Sequence, residues 1–255
     1  MSKLLEINNY KQEFVNQRKL RKSLAEVRAL CLDLNHKSNF CSAIVNQVNN
    51  AKSAYICEIK KASPSQGDIN VNIDVAEQAS IYKEMGATCL SVLTDEKYFK
   101  GSDIDVIIAK KASNIPVLRK DFIIDPYQIY EAKIIGADAI LLIMASLTLS
   151  QAKEFEDLAF VLGLDVLVES HNESELLNAL ELKTPLIGIN NRDLTSLDIN
   201  LKTTEELAKL IPKDKILISE SGIKTDSDIA YLQKQGAKAF LIGTSLMEGK
   251  LQISA

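Results

Sequence analysis

The sequence predicts an α/β fold, a closed (β/α)8 TIM barrel with an extra N-terminal helical segment. Three observations carry this prediction. After residue 53, eight short β-rich apolar runs alternate with longer helical stretches. Such alternation means right-handed βαβ units on a parallel sheet, and eight units in about 200 residues suit a closed barrel. Second, three joints are near copies of one another: Met85-Gly86-Ala87, Ile135-Gly136-Ala137 and Gln235-Gly236-Ala237. Each puts a glycine where a helix ends before a strand, the place for a left-handed cap. Third, the first run is followed by Lys61-Ala62-Ser63-Pro64-Ser65-Gln66-Gly67. That stretch lacks the glycine spacing of a dinucleotide loop and disfavours a doubly wound open sheet.

The elements follow in order. Residues 1–255 are expected to form one domain, with 1–50 a helical extension and 54–250 the barrel. Leu4 to Leu34 reads as helix from its apolar spacing, and residues 39–48 as a further short helix. Lys11, Arg18, Lys19, Arg21, Lys22 and Arg28 make the first segment basic. Glu6, Glu13 and Glu26 are interleaved, so a solvated face is expected ahead of a nucleic-acid or membrane arm. Strands are expected at Ala54–Lys60, Thr88–Leu93, Ile115–Lys120, Asp138–Ile143, Asp165–Glu169, Pro185–Asn190, Lys215–Glu220 and Ala239–Gly243. Helices between them include Asp74–Met85, Pro126–Ile135, Ser150–Leu162, Glu173–Leu182, Thr203–Leu210 and Asp226–Gln235. Asp125-Pro126, Ser150 and Thr225 read as helix starts. Eight residues follow Met247, so the eighth helix is expected to be short.

Composition removes other classes. An apolar fraction of 46% with a net charge of −4 excludes disorder and gives no basic surface for nucleic acid. The longest apolar run, Ala139 to Ala145, is far short of the roughly 20 residues a membrane span needs. Cys31, Cys41, Cys57 and Cys89 show no zinc-like spacing and read as reduced thiols of a cytoplasmic protein. Two histidines, His36 and His171, cannot build a multi-histidine metal site. No metal is expected. There is no tryptophan.

In a barrel of this kind the chemistry sits at the carboxyl ends of the strands. Strand 1 ends Glu58-Ile59-Lys60, strand 2 Thr94-Asp95 and strand 3 Arg119-Lys120-Asp121. Strand 5 ends Glu169, strand 6 Asn190-Asn191-Arg192, strand 7 Glu220-Ser221-Gly222 and strand 8 Gly243-Thr244. Alternation points Glu58 and Lys60 the same way and turns Cys57 toward the helices. Charges facing the helices would be costly to bury, whereas at the open mouth they pair with one another and with a ligand. Gly222, Gly243 and Thr244 follow strands 7 and 8, where barrels often hold a phosphate on backbone N–H groups, and Lys60 adds a positive charge. Lys120, Glu169, Glu58, Asn190 and Arg192 form a proton-transfer set. Phe99, Phe122, Leu141, Leu194 and Leu197 offer an apolar wall for a flat ring.

At these residues the sequence resembles indole-3-glycerol phosphate synthase. The motifs are Glu58-Ile59-Lys60-Lys61-Ala62-Ser63-Pro64-Ser65, Leu118-Arg119-Lys120-Asp121-Phe122, Ile187 through Leu194, Ser219-Glu220-Ser221-Gly222-Ile223 and Leu241 through Met247. The first is the most specific; the glycine motifs recur in other phosphate-binding barrels. The resemblance implies a lyase that closes the indole ring of 1-(2-carboxyphenylamino)-1-deoxyribulose 5-phosphate with loss of carbon dioxide and water. It implies no cofactor. It implies Lys120 as general acid, Glu169 as general base, Lys60 as assisting donor, and Glu58 and Asn190 as positioning groups. Ser63, Arg192, Glu220 and Ser221 would be substrate contacts beside Phe99, Phe122, Leu141 and Leu194. A monomer acting on this phosphorylated anthranilate–ribulose, with neither nucleic acid nor membrane as partner, is expected. The nearest alternative, a phosphate-sugar barrel such as phosphoribosylanthranilate isomerase, would not carry the Glu58–Ser65 motif.

Overall fold

The computed structural model describes residues 3–194 and 196–253. The eight expected runs are eight parallel strands: β1 (Ala54–Ile59), β2 (Cys89–Leu93), β3 (Val117–Lys120), β4 (Ala139–Ile143), β5 (Asp165–Ser170), β6 (Leu186–Asn190), β7 (Ile216–Glu220) and β8 (Ala239–Ile242). Each pairs with the next, and β8 returns to β1 with Ala54 beside Ala239, so the barrel closes.

Strand alternation divides the core in two. Cys57, Ile59, Leu90, Val92, Ile140 and Leu142 face outward and pack with helix residues such as Ala79, Tyr82, Val106 and Ala109. Ile56, Cys89, Leu118, Leu141, Leu167 and Ile218 point inward and fill the barrel. The helix α3 (Phe40–Asn49) inserts Phe40 and Ile44 into that inner core. Asp165, the first residue of β5, anchors this helix by accepting from the Cys41 N–H at 2.8 Å. The amino ends of the strands are thereby plugged, and the carboxyl ends remain as the open mouth.

The expected helix over 4–34 is two helices, α1 (Lys3–Arg21) and α2 (Leu24–Cys31). Ser23 breaks it: its hydroxyl accepts from the Glu26 N–H, and the Glu26 carboxylate accepts from the Ser23 N–H at 2.7 Å. This reciprocal cap offers the backbone a better arrangement than continuing the helix. The basic face of α1 is not simply solvated. Lys11 is buried between Asp95 and Asp121, Arg18 pairs with Asp103 and Glu131, and Lys19 with Asp125. Those residues dock the helix on the barrel.

Other corrections are local. Ser150 is not a cap; Thr148 is, bonded to the Gln151 N–H. A helix at Asp103–Ser113, one turn at Glu96–Phe99 and a small ribbon of Ala62–Ser63 against Gly67–Asp68 were not among the expected segments. The eighth helix is one turn, Thr244–Met247, and beyond it Leu251 and Ile253 are buried in the outer core.

Candidate active site

A cavity of about 370 Å³ opens at the carboxyl ends of the strands, within the size range of small-molecule sites. Lys60, Ser63, Phe99, Lys120, Phe122, Leu141, Glu169, Asn190, Arg192, Leu194, Ser221, Gly222, Gly243 and Thr244 all line it, together with Glu58. Glu220 does not. It is 1% exposed and lies beneath Lys120. Sequence reasoning missed Lys3, Leu4 and Ile7, which line the cavity from α1. Their i, i+3 and i, i+4 spacing, continued by buried Lys11, marks one face of that helix.

At the centre, Lys120 Nζ stands 2.7 Å from Glu220 Oε2, 3.4 Å from Glu169 Oε2 and 3.9 Å from Glu58 Oε2. Lys60 Nζ is 2.8 Å from Glu58 Oε1. Burial works against the Lys120 charge, but the three carboxylates outweigh it and hold its pKa above the ordinary lysine value. Burial likewise pushes the Glu58 carboxyl up, and Lys60 and Lys120 more than reverse this. Glu169 is held well below the carboxylate range: Lys120 and then His171 overcome its burial. Glu220 goes the other way. Buried, and facing the Glu169 charge, it is pushed up to about 8 despite Lys120. The two neighbouring carboxyls are thus pushed in opposite directions, Glu169 down and Glu220 up. Divergence of this kind marks acid–base sites.

The opposite wall is apolar. Phe99 and Phe122 have ring centroids 6.2 Å apart, and Leu93, Leu141 and Leu241 complete the surface. Asn190 accepts from the Arg192 N–H at 3.0 Å, and the Arg192 guanidinium donates to the Leu197 carbonyl at 3.0 Å. Asn191, buried beside them, donates to the Glu220 and Ser221 carbonyls and ties the end of β6 to that of β7.

At the strand 7 and 8 end, Ser221 and Gly222 take positive φ values of 64° and 84°. A Cβ on Gly222 would stand 2.4 Å from Ile199 Cγ2. Gly243 is needed for a different reason: a Cβ there would stand 2.6 Å from Glu58 Oε1. The one-turn helix opening at Thr244 follows directly, and its first N–H groups have no partner within it. The Thr244 hydroxyl donates to Gln66 Oε1 across the mouth at 3.1 Å.

Not every polar strand end serves this mouth. Arg119, outward on β3 and 1% exposed, meets Asp103 at 2.9 Å and donates to the Gln128 carbonyl at 2.8 Å. Asp95 and Asp121 take up Lys11 at 2.7 Å each. This is a buried ion network under α1, in which breaking one partner would leave an uncompensated charge. Among the described residues, no group of three or more His, Cys, Asp or Glu is placed to hold a metal ion.

A parallel α/β barrel with this mouth belongs to the class of enzymes that handle small phosphorylated substrates by acid–base chemistry. The comparisons narrow the class. The family model for indole-3-glycerol phosphate synthase matches residues 4–253. Indole-3-glycerol phosphate synthase of Azospirillum brasilense is 47% identical over 244 residues, 96% of this chain and 93% of that one. The enzyme of the same name from Caldanaerobacter subterraneus subsp. tengcongensis is 48% identical over 252 residues, 98% and 96% of the two chains. The chain belongs to the indole-3-glycerol phosphate synthase family, and it is a carboxy-lyase of tryptophan biosynthesis. A solved N-acetylmannosamine-6-phosphate 2-epimerase from Clostridium perfringens shares the fold, with a TM-score of 0.56 at 14% identity over 76% of this chain and 86% of that one. Among the described residues no helix is long and apolar enough to cross a membrane.

Proposed function

We propose that Lys120 is the general acid and Glu169 the general base of ring closure, with Lys60 as assisting donor. The observation that carries this reading is the central cluster, in which one lysine meets three carboxylates of divergent protonation. The anthranilate ring lies against Phe99, Phe122, Leu141 and Leu194. Its phosphate rests on the N–H groups around Gly222, Gly243 and Thr244, with Lys60 nearby. As the ring carbon bearing the carboxylate attacks the ribulose carbonyl carbon, charge builds on the carbonyl oxygen and Lys120 transfers its proton there. Loss of carbon dioxide restores the aromatic ring. Lys60 then protonates the departing hydroxyl, and Glu169 removes the proton that lets water leave.

Glu58 positions Lys60 through their 2.8 Å contact, and Asn190 positions the chain at Arg192. Ser63, Arg192 and Ser221 contact the substrate directly. Glu220 acts on it only through Lys120. The chain works as a single-domain monomer in the cytoplasm, with no nucleic-acid partner. The basic residues of α1 that face the barrel are spent on its carboxylates.

Single turnovers with carbon dioxide and indole followed separately test the division of labour. Lys120→Ala blocks both signals. Glu169→Gln releases carbon dioxide and stalls before the indole forms. An indole yield in Glu169→Gln equal to that of the unmodified enzyme contradicts the assignment of the base.

A further inference from the structure

Glu169 is gripped from two sides. Its Oε2 faces Lys120, and its Oε1 lies 3.2 Å from Nε2 of His171. His171 follows β5 directly, and its ring is held in turn. Nδ1 is 2.9 Å from Glu175 Oε2, and the same oxygen accepts from the His171 backbone N–H at 2.9 Å. Glu175 stands in the first turn of the helix Glu173–Ala179. Its other oxygen accepts from Asn172 Nδ2 at 2.6 Å, so the carboxylate is fixed before it meets the ring.

A ring with a carboxylate at each nitrogen satisfies both only as imidazolium, because the neutral form presents a lone pair to one of them. Burial opposes the charge, but Glu169 and Glu175 overcome it and push the His171 pKa up to about 10. The titratable groups around the pair are Glu169 on β5, Glu175 on the following helix, and Lys120, Glu58 and Glu220 reaching across from β3, β1 and β7.

We propose that His171, fixed by Glu175, is a positioning residue for the reaction: it holds Glu169 Oε1 so that Oε2 stays aimed into the cavity. Lys120 cannot do this throughout turnover, because its proton goes to the substrate. His171 remains the cation that keeps the base ionised and oriented when Lys120 is neutral. This rests on Glu169 being the base.

The test uses the full chain, in two measurements. With only two histidines present, nitrogen NMR of the imidazoles isolates His171 by difference against His36→Asn. Both His171 nitrogens are expected to carry hydrogen from pH 6 to pH 9, and a neutral ring at pH 7 overturns the proposal. In the second, His171→Gln and Glu175→Gln lower kcat by roughly tenfold or more with KM nearly unchanged. Their acid limb of kcat moves upward by about one pH unit as Glu169 loses its cation. If His171→Gln fails to fold, Glu175→Gln decides alone. Unchanged kcat and unchanged acid limb in the folded variants overturn the proposal. Glu169→Gln run alongside separates the two ideas: full activity there removes the base assignment itself, whereas an inactive Glu169→Gln beside unaltered variants removes only the role of His171.

Discussion

The Glu220 carboxylate occupies the space where Gly188 lacks a side chain: a Cβ built on Gly188 would stand 2.3 Å from Glu220 Oε1. The same Cβ would lie 3.1 Å from the Val168 carbonyl oxygen. Gly188 is on β6 and Glu220 on β7, so the smallest residue of one strand makes room for the buried acid of the next. Gly188→Ala must displace Glu220, and Lys120 loses its 2.7 Å partner. Overpacking of this kind costs about 1–3 kcal/mol of stability. Turnover is expected to fall together with it, whereas Gly236→Ala, strained by its φ of 105° but meeting nothing within 4 Å, lowers stability without displacing Glu220. Chemical denaturation and steady-state rates on both variants check this.

Glu220 also predicts a pH dependence of folding. Its folded pKa is raised to about 8 from the ordinary 4.5 of a glutamate, so between those values the folded chain holds a proton that the unfolded chain has released. Stability from this group is therefore fully present below about pH 4.5 and falls as pH rises through 8. The slope is at most about 1.4 kcal/mol per pH unit. Glu220→Gln, neutral in both states, should flatten that stretch of the curve. Denaturant midpoints from pH 5 to pH 8 measure it.

Inorganic phosphate should compete with the substrate for the corner at Gly222, Gly243 and Thr244. Bulky side chains at both glycines should weaken that inhibition by roughly tenfold or more, the worth of one lost charge-assisted hydrogen bond. Competition that persists undiminished puts the phosphate elsewhere.

Most of the barrel was legible in the sequence because strand and helix periods differ and glycine marks their joints. All eight strands lie within two residues of their expected bounds. The two-helix form of residues 3–31 was less legible, since Ser23 and Glu26 break the helix with a cap that leaves the apolar spacing intact. Strand ends led to Lys120 and Glu169, but listing polar ends without alternation mixed Arg119 and Asp95 into the mouth. Asp95 is taken up by Lys11 from the first helix, and Arg119 by Asp103, partners that no strand-end pattern reports. His171 carried a usable signal, being two residues from Glu169 and so on the same side of an extended chain. Glu175 was hidden by its place three residues after Asn172, where it reads as part of a helix cap. No sequence pattern reports that the Glu220 carboxyl is pushed up, because that depends on burial and on a neighbour from another strand.

The central claim is that Lys120 delivers the proton in ring closure. Steady-state turnover of the carboxyphenylamino-deoxyribulose phosphate, followed by indole fluorescence, tests it most directly. With no tryptophan in the chain, the indole signal comes from product alone. Lys120→Ala is expected to fold, to keep a KM near that of the unmodified enzyme, and to lose at least roughly a hundredfold in kcat. A folded Lys120→Ala with unchanged kcat would contradict the account.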